Sequence, residues 1–368
     1  MTSPGVRQQY RVAYLPGDGI GPEVSDAARR CVDAVGDRFG FSVNWEEQPV
    51  GGAAIDATGR ALPPETLDAC RVADAVLLGA VGGPRWSDPL AEVRPEQALL
   101  GLRAELALFA NLRPVRAHPG LDSASPLRPE VRRGADLLIV RELTGGLYFG
   151  QPRGWTTDEA FDTLRYTRTE IERVVRLAFE LAAGRRGQLT SVDKANVLES
   201  SRLWRAVVDE MSADFPQVAV QHALVDSLAL ALITNPSRFD VLVTENLFGD
   251  ILSDEAGAIS GSLGILPSAS LGDRVTGHGR FGLFEPVHGS APDIAGRGIA
   301  NPLGAIGSAA LMLAWSLGEP AAAEALERGV DAVLASETRT PDLGGTATTA
   351  VVEAAVLTVV RETAQARR

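Results

Sequence analysis

Short, uninterrupted apolar runs alternate along this chain with longer stretches in which apolar residues recur roughly every three to four positions. Val12–Leu15, Ala75–Leu78, Leu137–Val140 and Val241–Thr244 are of the first kind and predict strands. Residues 22–35, 169–183 and 203–212 are of the second kind and predict helices. This alternation predicts an α/β fold with a largely parallel sheet. Asp136–Val140 and Asp240–Thr244 have the continuous apolar character of strands buried on both faces, and their ends lead toward functional loops. Between them, Gly145–Gly154 is rich in glycine and aromatic residues and reads either as a protruding hairpin arm packing on a second subunit or as a plain loop. The tail from about 321 to 366 is Ala-rich and helical, interrupted at Pro341–Gly345. There is no internal repeat and no long linker, so if two domains exist the chain crosses between them more than once.

Composition narrows the class. The 368 residues, 45% apolar and 22% charged, are enough for a large core and about two domains. Net charge is −12 and no Lys/Arg stripe forms, which argues against a nucleic-acid partner. No uncharged apolar run reaches the ~18 residues of a membrane helix, and the first ten residues lack the apolar region of a signal peptide. Cys31 and Cys70 read as buried free thiols, which suits a reducing cytoplasm.

The densest chemistry lies at Asn246–Asp254. Asp250 and Asp254 stand four residues apart, a spacing that puts both side chains on one helix face, with Gly249 expected to open the helix. Such a pair is often a solvated face, but Phe248, Ile251 and Leu252 make this stretch apolar, where carboxylates seldom stand unpartnered. With Asp226 upstream, and no His or Cys nearby, the set suits Mg²⁺ or Mn²⁺. Arg103, Arg113 and Arg141 lie beside apolar segments, where guanidiniums can clamp a small dicarboxylate. Singly, each reads more readily as a surface residue than as part of a clamp. Leu99 and Leu100 between them add a greasy contact. Tyr148 and Lys194 are the acid–base candidates: a desolvated lysine loses basicity and serves as a base, while a solvated one merely snorkels.

Two glycine clusters mislead. Gly17-Asp-Gly19-Ile-Gly21-Pro22 has G-x-G-x-G spacing and reads as a tight strand-to-helix turn with Pro22 at the first helical position. Gly277-His-Gly279-Arg-Phe-Gly282 has the Rossmann spacing, but no helix pattern follows it. The better nucleotide candidate is Glu285–Ile294, where small residues admit a ligand to the backbone and Asp293 can accept ribose hydroxyls, favouring NAD over NADP. The same stretch also reads as an ordinary Gly/Pro loop.

Taken together, LPGDGIGPEV, LLGAVGGP, LLGLRAELALFANLRP, VRELTGGLYFGQPRG, SVDKANVLE, NLFGDILSD and EPVHGSAPDIAGRGIANP resemble the β-decarboxylating dehydrogenases, the family of isopropylmalate, isocitrate, homoisocitrate and tartrate dehydrogenases. The resemblance runs from about Val12 to Gly345 and is strongest to the isopropylmalate members. It implies an α/β fold of two domains around a cleft, distinct from the Rossmann fold: residues 1–108 with 267–368 binding NAD, and 109–266 carrying metal ligands, the dimer interface and an arm near 144–168. It implies a homodimer with shared active sites that oxidises and decarboxylates 3-isopropylmalate. Arg103, Arg113 and Arg141 would bind the malate carboxylates. Asp250, Asp254 and the partner's Asp226 would hold Mg²⁺ or Mn²⁺. Lys194, also from the partner, would take the C2-hydroxyl proton, and Tyr148 would protonate the enolate. Leu99, Leu100 and the partner's Val197 would surround the isopropyl group. Glu96 would approach the nicotinamide ribose, and Glu285, His288, Gly289, Ser290, Ala291, Asp293 and Asn301 would serve the rest of NAD.

The sequence departs from the family beside Asp226, where Leu224-Val225 precedes and Ser227–Leu230 follows it. A sister enzyme acting on another 3-alkylmalate, isocitrate or tartrate stays open, because one methylene in an apolar pocket discriminates by only ~1–3 kcal/mol. A silent ligand-binding relative would have lost Lys194, Tyr148 or an aspartate, and all are present.

Overall fold

The computed structural model describes residues 7–86, 88 and 91–362. The chain divides into two compact units, residues 1–106 with 262–368, and residues 107–261.

The first unit opens with strand β1 (Gln8–Gly17), helix α1 (Gly21–Phe39), β2 (Phe41–Glu47), α2 (Gly51–Thr58), α3 (Pro64–Val72), β3 (Ala75–Ala80) and α4 (Glu96–Glu105). After the second unit it resumes with β11 (Pro267–Val275), β12 (Arg280–Pro286), α10 (Leu303–Trp315), α11 (Pro320–Leu334) and α12 (Thr349–Glu362). Its strands run in the order β2-β1-β3-β12-β11, parallel except for the β11–β12 hairpin. Val24, Ala28, Cys31, Val32 and Val35 recur at helical spacing on the buried face of α1. Gly40, at φ 87°, ends that helix in a left-handed conformation. The helix starts at Gly21, so Pro22 holds its second position rather than its first. Gly277 and Gly279 lie in the turn between β11 and β12, so the Rossmann spacing there belongs to a hairpin. Cys31 and Cys70 are buried and unpaired, and burial holds both thiols well above their usual pKa. The interruption of the helical tail falls at a short 3₁₀ turn, Pro341–Leu343. The end of that tail and the first six residues lie outside the described residues.

The second unit contains β4 (Ala110–Arg116), α5 (Pro129–Arg132), β5 (Asp136–Glu142), β6 (Gly154–Trp155), β7 (Ala160–Phe161), α6 (Arg168–Ala183) and β8 (Gln188–Asp193). It continues through α7 (Glu199–Ser212), β9 (Ala219–Leu224), α8 (Val225–Thr234), β10 (Val241–Thr244) and α9 (Asn246–Ser260). The strand order is β4-β5-β10-β8-β9, with β4 antiparallel to β5 and the rest parallel. The expected strands 137–140 and 241–244 are β5 and β10. Their runs are unbroken because both faces are covered. A capping box of Thr167 and Glu170 starts α6. The segment 145–154 forms a 3₁₀ turn at Gly146–Tyr148, followed by the β6–β7 hairpin with Trp155 and Phe161 exposed.

Candidate active site

The chemistry of the second unit is built on the antiparallel pair β4–β5. Asn111 faces Arg141 across the ladder, and Arg113 lies two residues further along β4, so the three side chains share one face of the sheet. Helix α9 lies against that face. Gly249 permits this: a Cβ there would stand 2.6 Å from Arg141 Cγ and 2.8 Å from its Cβ. Gly249 therefore does not open the helix as its sequence position predicted. The helix begins at Asn246, and the Glu245 carboxylate caps it by accepting the Phe248 N–H at 2.7 Å. Glycine at 249 answers to packing.

On that helix Asp250 and Asp254 face the arginines. Arg141 donates from Nη1 to Asp250, and from Nε to the Asn246 carbonyl at 2.9 Å; its Nη2 reaches Asn246 Oδ1 at 2.8 Å. Arg113 donates to Ser253 Oγ at 2.6 Å, to Asp254 at 3.3 Å and, through Nε, to Asn111 Oδ1 at 2.6 Å. Both guanidiniums are buried, so their charges act in a low dielectric. Partial burial raises the Asp254 carboxyl pKa, and Asp250 adds to this while Arg113 opposes it. Tyr148 donates its hydroxyl to Asp250 Oδ2 at 2.6 Å with the Arg141 guanidinium 5.6 Å from its ring centre. Desolvation first, and then the Asp250 contact, raise the phenol pKa, so Tyr148 carries its proton at neutral pH.

Behind this face lies a network invisible in the sequence. The Tyr166 hydroxyl accepts the Asn246 N–H at 3.0 Å and stands 3.2 Å from Glu142 Oε2 and 3.4 Å from Glu245 Oε2. Glu142 also accepts the N–H groups of Thr144 and Gly145, each at 2.8 Å. Asn246 Nδ2 donates to the Gly145 carbonyl at 3.2 Å. The turn carrying Tyr148 and the residue holding Arg141 are thus tied to one buried cluster. Burial is the main cause raising both carboxyl pKa values.

Lys194 follows β8, and its Nζ lies 2.5 Å from Asp226 Oδ1 at the start of α8. That hydrogen bond is the leading cause lowering the Asp226 pKa. Among the described residues of one chain, no group of three or more His, Cys, Asp or Glu side chains is placed to hold a metal ion. Asp226 therefore does not complete a three-carboxylate set with Asp250 and Asp254 within the chain. Asp226 and Val197 are exposed, as are Leu230 on α8 and Ile251 on α9.

In the first unit, α4 puts Glu96, Leu99, Leu100 and Arg103 on one face at spacings of three, four and seven residues. Glu96 is exposed, the leucines are half-buried and Arg103 is buried. Arg103 Nη2 pairs with Glu285 on β12 at 3.2 Å, while its buried Nε has no hydrogen-bond partner. Glu285 thus stands behind the arginine. In the loop beyond β12, a Cβ on Gly289 would meet nothing within 4 Å, Ala291 adopts φ 36°, and Asp293 is exposed. His288 Nδ1 lies 2.9 Å from the Gly289 carbonyl, and its buried Nε2 is unpartnered. Burial lowers the His288 pKa, so the ring is neutral at pH 7. Asn301 is buried and structurally employed: Oδ1 accepts the Leu303 N–H at 3.1 Å, and Nδ2 donates to Asp342 at 3.0 Å.

This combination of two α/β units, a carboxylate pair on a helix backed by arginines, and a small-residue loop after a strand defines the class. The chain belongs to the isocitrate/isopropylmalate dehydrogenase family, whose sequence profile matches residues 11–358. It is 57% identical over 339 residues to a 3-isopropylmalate dehydrogenase of Anaeromyxobacter dehalogenans, covering 91% of this chain and 95% of that one. A 3-isopropylmalate dehydrogenase of Heyndrickxia coagulans is 58% identical over 91% of either chain. Among solved structures, an isocitrate dehydrogenase from Methylococcus capsulatus superposes with a TM-score of 0.84 at 36% identity, covering 96% of this chain and 99% of that one. A β-decarboxylating dehydrogenase from Thermococcus kodakarensis gives 0.79 at 40% identity, covering 96% of each.

Proposed function

We propose that this chain oxidises and decarboxylates (2R,3S)-3-isopropylmalate to 2-oxoisocaproate and CO₂, a step of leucine biosynthesis, using NAD and Mg²⁺ or Mn²⁺. The observation that carries this reading is the β4–β5 face: two buried arginines and a protonated phenol converge on two carboxylates of one helix. The 57% and 58% identity to relatives bearing that enzyme's name supports the substrate.

Hard carboxylate oxygens suit a hard cation, and Asp250 and Asp254, one helical turn apart, fit as two of its ligands. Asp226 of the partner subunit supplies the third. Lys194 and Asp226 are hydrogen-bonded, so the partner delivers both together. Exposed Leu230, Ile233 and Ile251 on α8 and α9 support a homodimer through those helices. The unpartnered Nε2 of His288, the open Gly289 backbone and exposed Asp293 fit the adenosine half of NAD, with Ser290, Ala291 and Asn301 shaping the loop and Glu96 near the nicotinamide ribose. When bound, NAD⁺ accepts the C2 hydride and the cation draws electron density toward the C2 oxygen.

The chain's own residues do the rest. Arg103, Arg113 and Arg141 fix the malate carboxylates, and the free Nε of Arg103 is a ready donor. Glu285 holds Arg103 in place. Lys194 Nζ, in its neutral amine form, accepts the C2-hydroxyl proton. After CO₂ leaves, Tyr148 Oη donates a proton to the enolate carbon. Leu99 and Leu100 of α4, with the partner's Val197, surround the isopropyl group. A third carboxylate, as in isocitrate, would find no polar partner on that apolar pair. Among the described residues no helix is long and apolar enough to cross a membrane, and the two unpaired thiols support the cytoplasm as the site of action. The test is product stoichiometry: with 3-isopropylmalate, one CO₂ and one 2-oxoisocaproate should appear per NADH. NADH without CO₂ would contradict the decarboxylating assignment.

A further inference from the structure

Asp18, the central residue of the Gly17-Asp-Gly19 turn, has no part in the function so far described, yet it is one of the most heavily employed side chains in the first unit. It is 6% exposed, and its carboxylate accepts three main-chain N–H groups: Gly52 at 2.7 Å, Ala53 at 2.8 Å and Gly82 at 2.8 Å. The first two open helix α2. Val50, in the capping position of that helix, has no side chain able to cap it, and Asp18 takes over that role from far away in sequence. The third bond reaches the exit of β3.

Gly82 is the link to the cofactor loop. Its φ is 118°, a region that favours glycine. A Cβ built on it would stand 3.3 Å from Glu96 Oε1 and 3.6 Å from Ser290 Oγ. The main chain beside Asp18 grips the same loop from the other side. Ile20 N–H donates to the Ser290 carbonyl at 2.8 Å, and a Cβ on Gly19 would lie 2.0 Å from that oxygen. The Asp18 N–H itself donates to the Ala80 carbonyl at 2.7 Å. One short turn therefore fixes three things at once: the N-terminus of α2, the strand exit at Gly82, and Ser290 at the head of the small-residue loop. Such a site tolerates little displacement, since bound geometry must hold within a fraction of an ångström.

We propose that Asp18 is a positioning residue for NAD: by holding Gly82 and, through the Gly19-Ile20 main chain, Ser290, it sets the surface on which the nucleotide lies. The inference rests on the reading of Glu96 and of residues 288–293 as the NAD site. It explains why a G-x-G cluster without the dinucleotide spacing stands at the head of the first strand-to-helix turn. The cluster shapes the cofactor surface through side-chain and main-chain bonds instead of wrapping a pyrophosphate.

The test is calorimetric titration of NADH into the full chain and into Asp18→Ala and Asp18→Asn, with steady-state kinetics alongside. Asp18→Ala removes all three acceptor bonds and is expected to weaken NADH binding by about tenfold or more. Asp18→Asn keeps one acceptor oxygen and is expected to weaken it by about threefold. KM for NAD should rise in the same order, while KM for 3-isopropylmalate and kcat at saturating NAD move less. A purely structural cap predicts another pattern: a lower melting temperature in both variants, with NADH affinity per folded protein unchanged. That pattern, or equal rises in both KM values, overturns the proposal. If Asp18→Ala does not fold, Asp18→Asn decides alone, and unchanged NADH affinity in it is equally fatal. Failure of the unaltered protein to bind NADH would instead sink the cofactor reading itself, with Asp18's role falling as a consequence.

Discussion

Replacing Tyr166 by Phe tests the buried network behind the reactive face with one oxygen. The ring stays, so no cavity opens and the edge-to-face contact with Trp204 at 5.8 Å survives. What disappears is the acceptor for the Asn246 N–H at 3.0 Å and the donor shared by Glu142 and Glu245. An unsatisfied buried N–H costs about 1–3 kcal/mol, and a carboxylate that loses its donor adds a similar amount, so a total of about 2–4 kcal/mol is expected after overlap. The effect also has a definite pH sign. Burial raises both carboxyl pKa values above the usual carboxyl range. Groups shifted this way contribute stability that is complete below the unfolded pKa and is lost as pH rises through the folded pKa. Without the hydroxyl the two carboxylates repel more and shift further upward. Tyr166→Phe should therefore cost more at pH 7 than at pH 5. Urea unfolding followed by circular dichroism at both pH values measures this directly. A loss below about 0.5 kcal/mol at pH 7, or a greater loss at pH 5, would refute the account of the network.

Other expectations follow from the reactive face and α4. Tyr148→Phe should lower kcat by about 10²–10⁴-fold, the usual worth of a positioned general acid, and stopped-flow absorbance should show the NADH-forming step less affected than turnover. Asp254→Asn should raise the Mg²⁺ concentration needed for half-maximal rate by about tenfold or more, and chelation with EDTA should abolish turnover of the unaltered protein. Leu100→Glu should cut kcat/KM for 3-isopropylmalate by at least about tenfold, because a carboxylate would face the isopropyl group. The readout is the ratio of kcat/KM between 3-isopropylmalate and malate, which an unspecific loss of fold would leave unchanged.

The parts legible in the sequence were those whose physics is local. Strands β5 and β10 announce themselves because strands covered on both faces have no polar alternation. The Asp250–Asp254 pair is visible because helical spacing converts directly into a shared face. What escaped is non-local. Glu142, Tyr166 and Glu245 are separated by 24 and 79 residues, and no local spacing shows that the three meet. Glu285 looks like the start of the cofactor loop, but its partner is Arg103, 182 residues away. The sequence places the start of α9 at Gly249 because Gly usually marks a helix boundary, whereas here Gly249 makes room for Arg141 and the helix begins at Asn246. Glu245, the true cap, is an uncommon capping residue. Asp226 groups with Asp250 and Asp254 by residue type, but the described residues of one chain do not bring the three together.

The most direct test of the central claim is NADH formation, followed by absorbance, with 3-isopropylmalate, isocitrate, tartrate and a longer 3-alkylmalate, each with and without Mg²⁺. Metal-dependent turnover with the highest kcat/KM on 3-isopropylmalate is expected. Equal or faster turnover of isocitrate, or turnover that persists after complete metal removal, would contradict it.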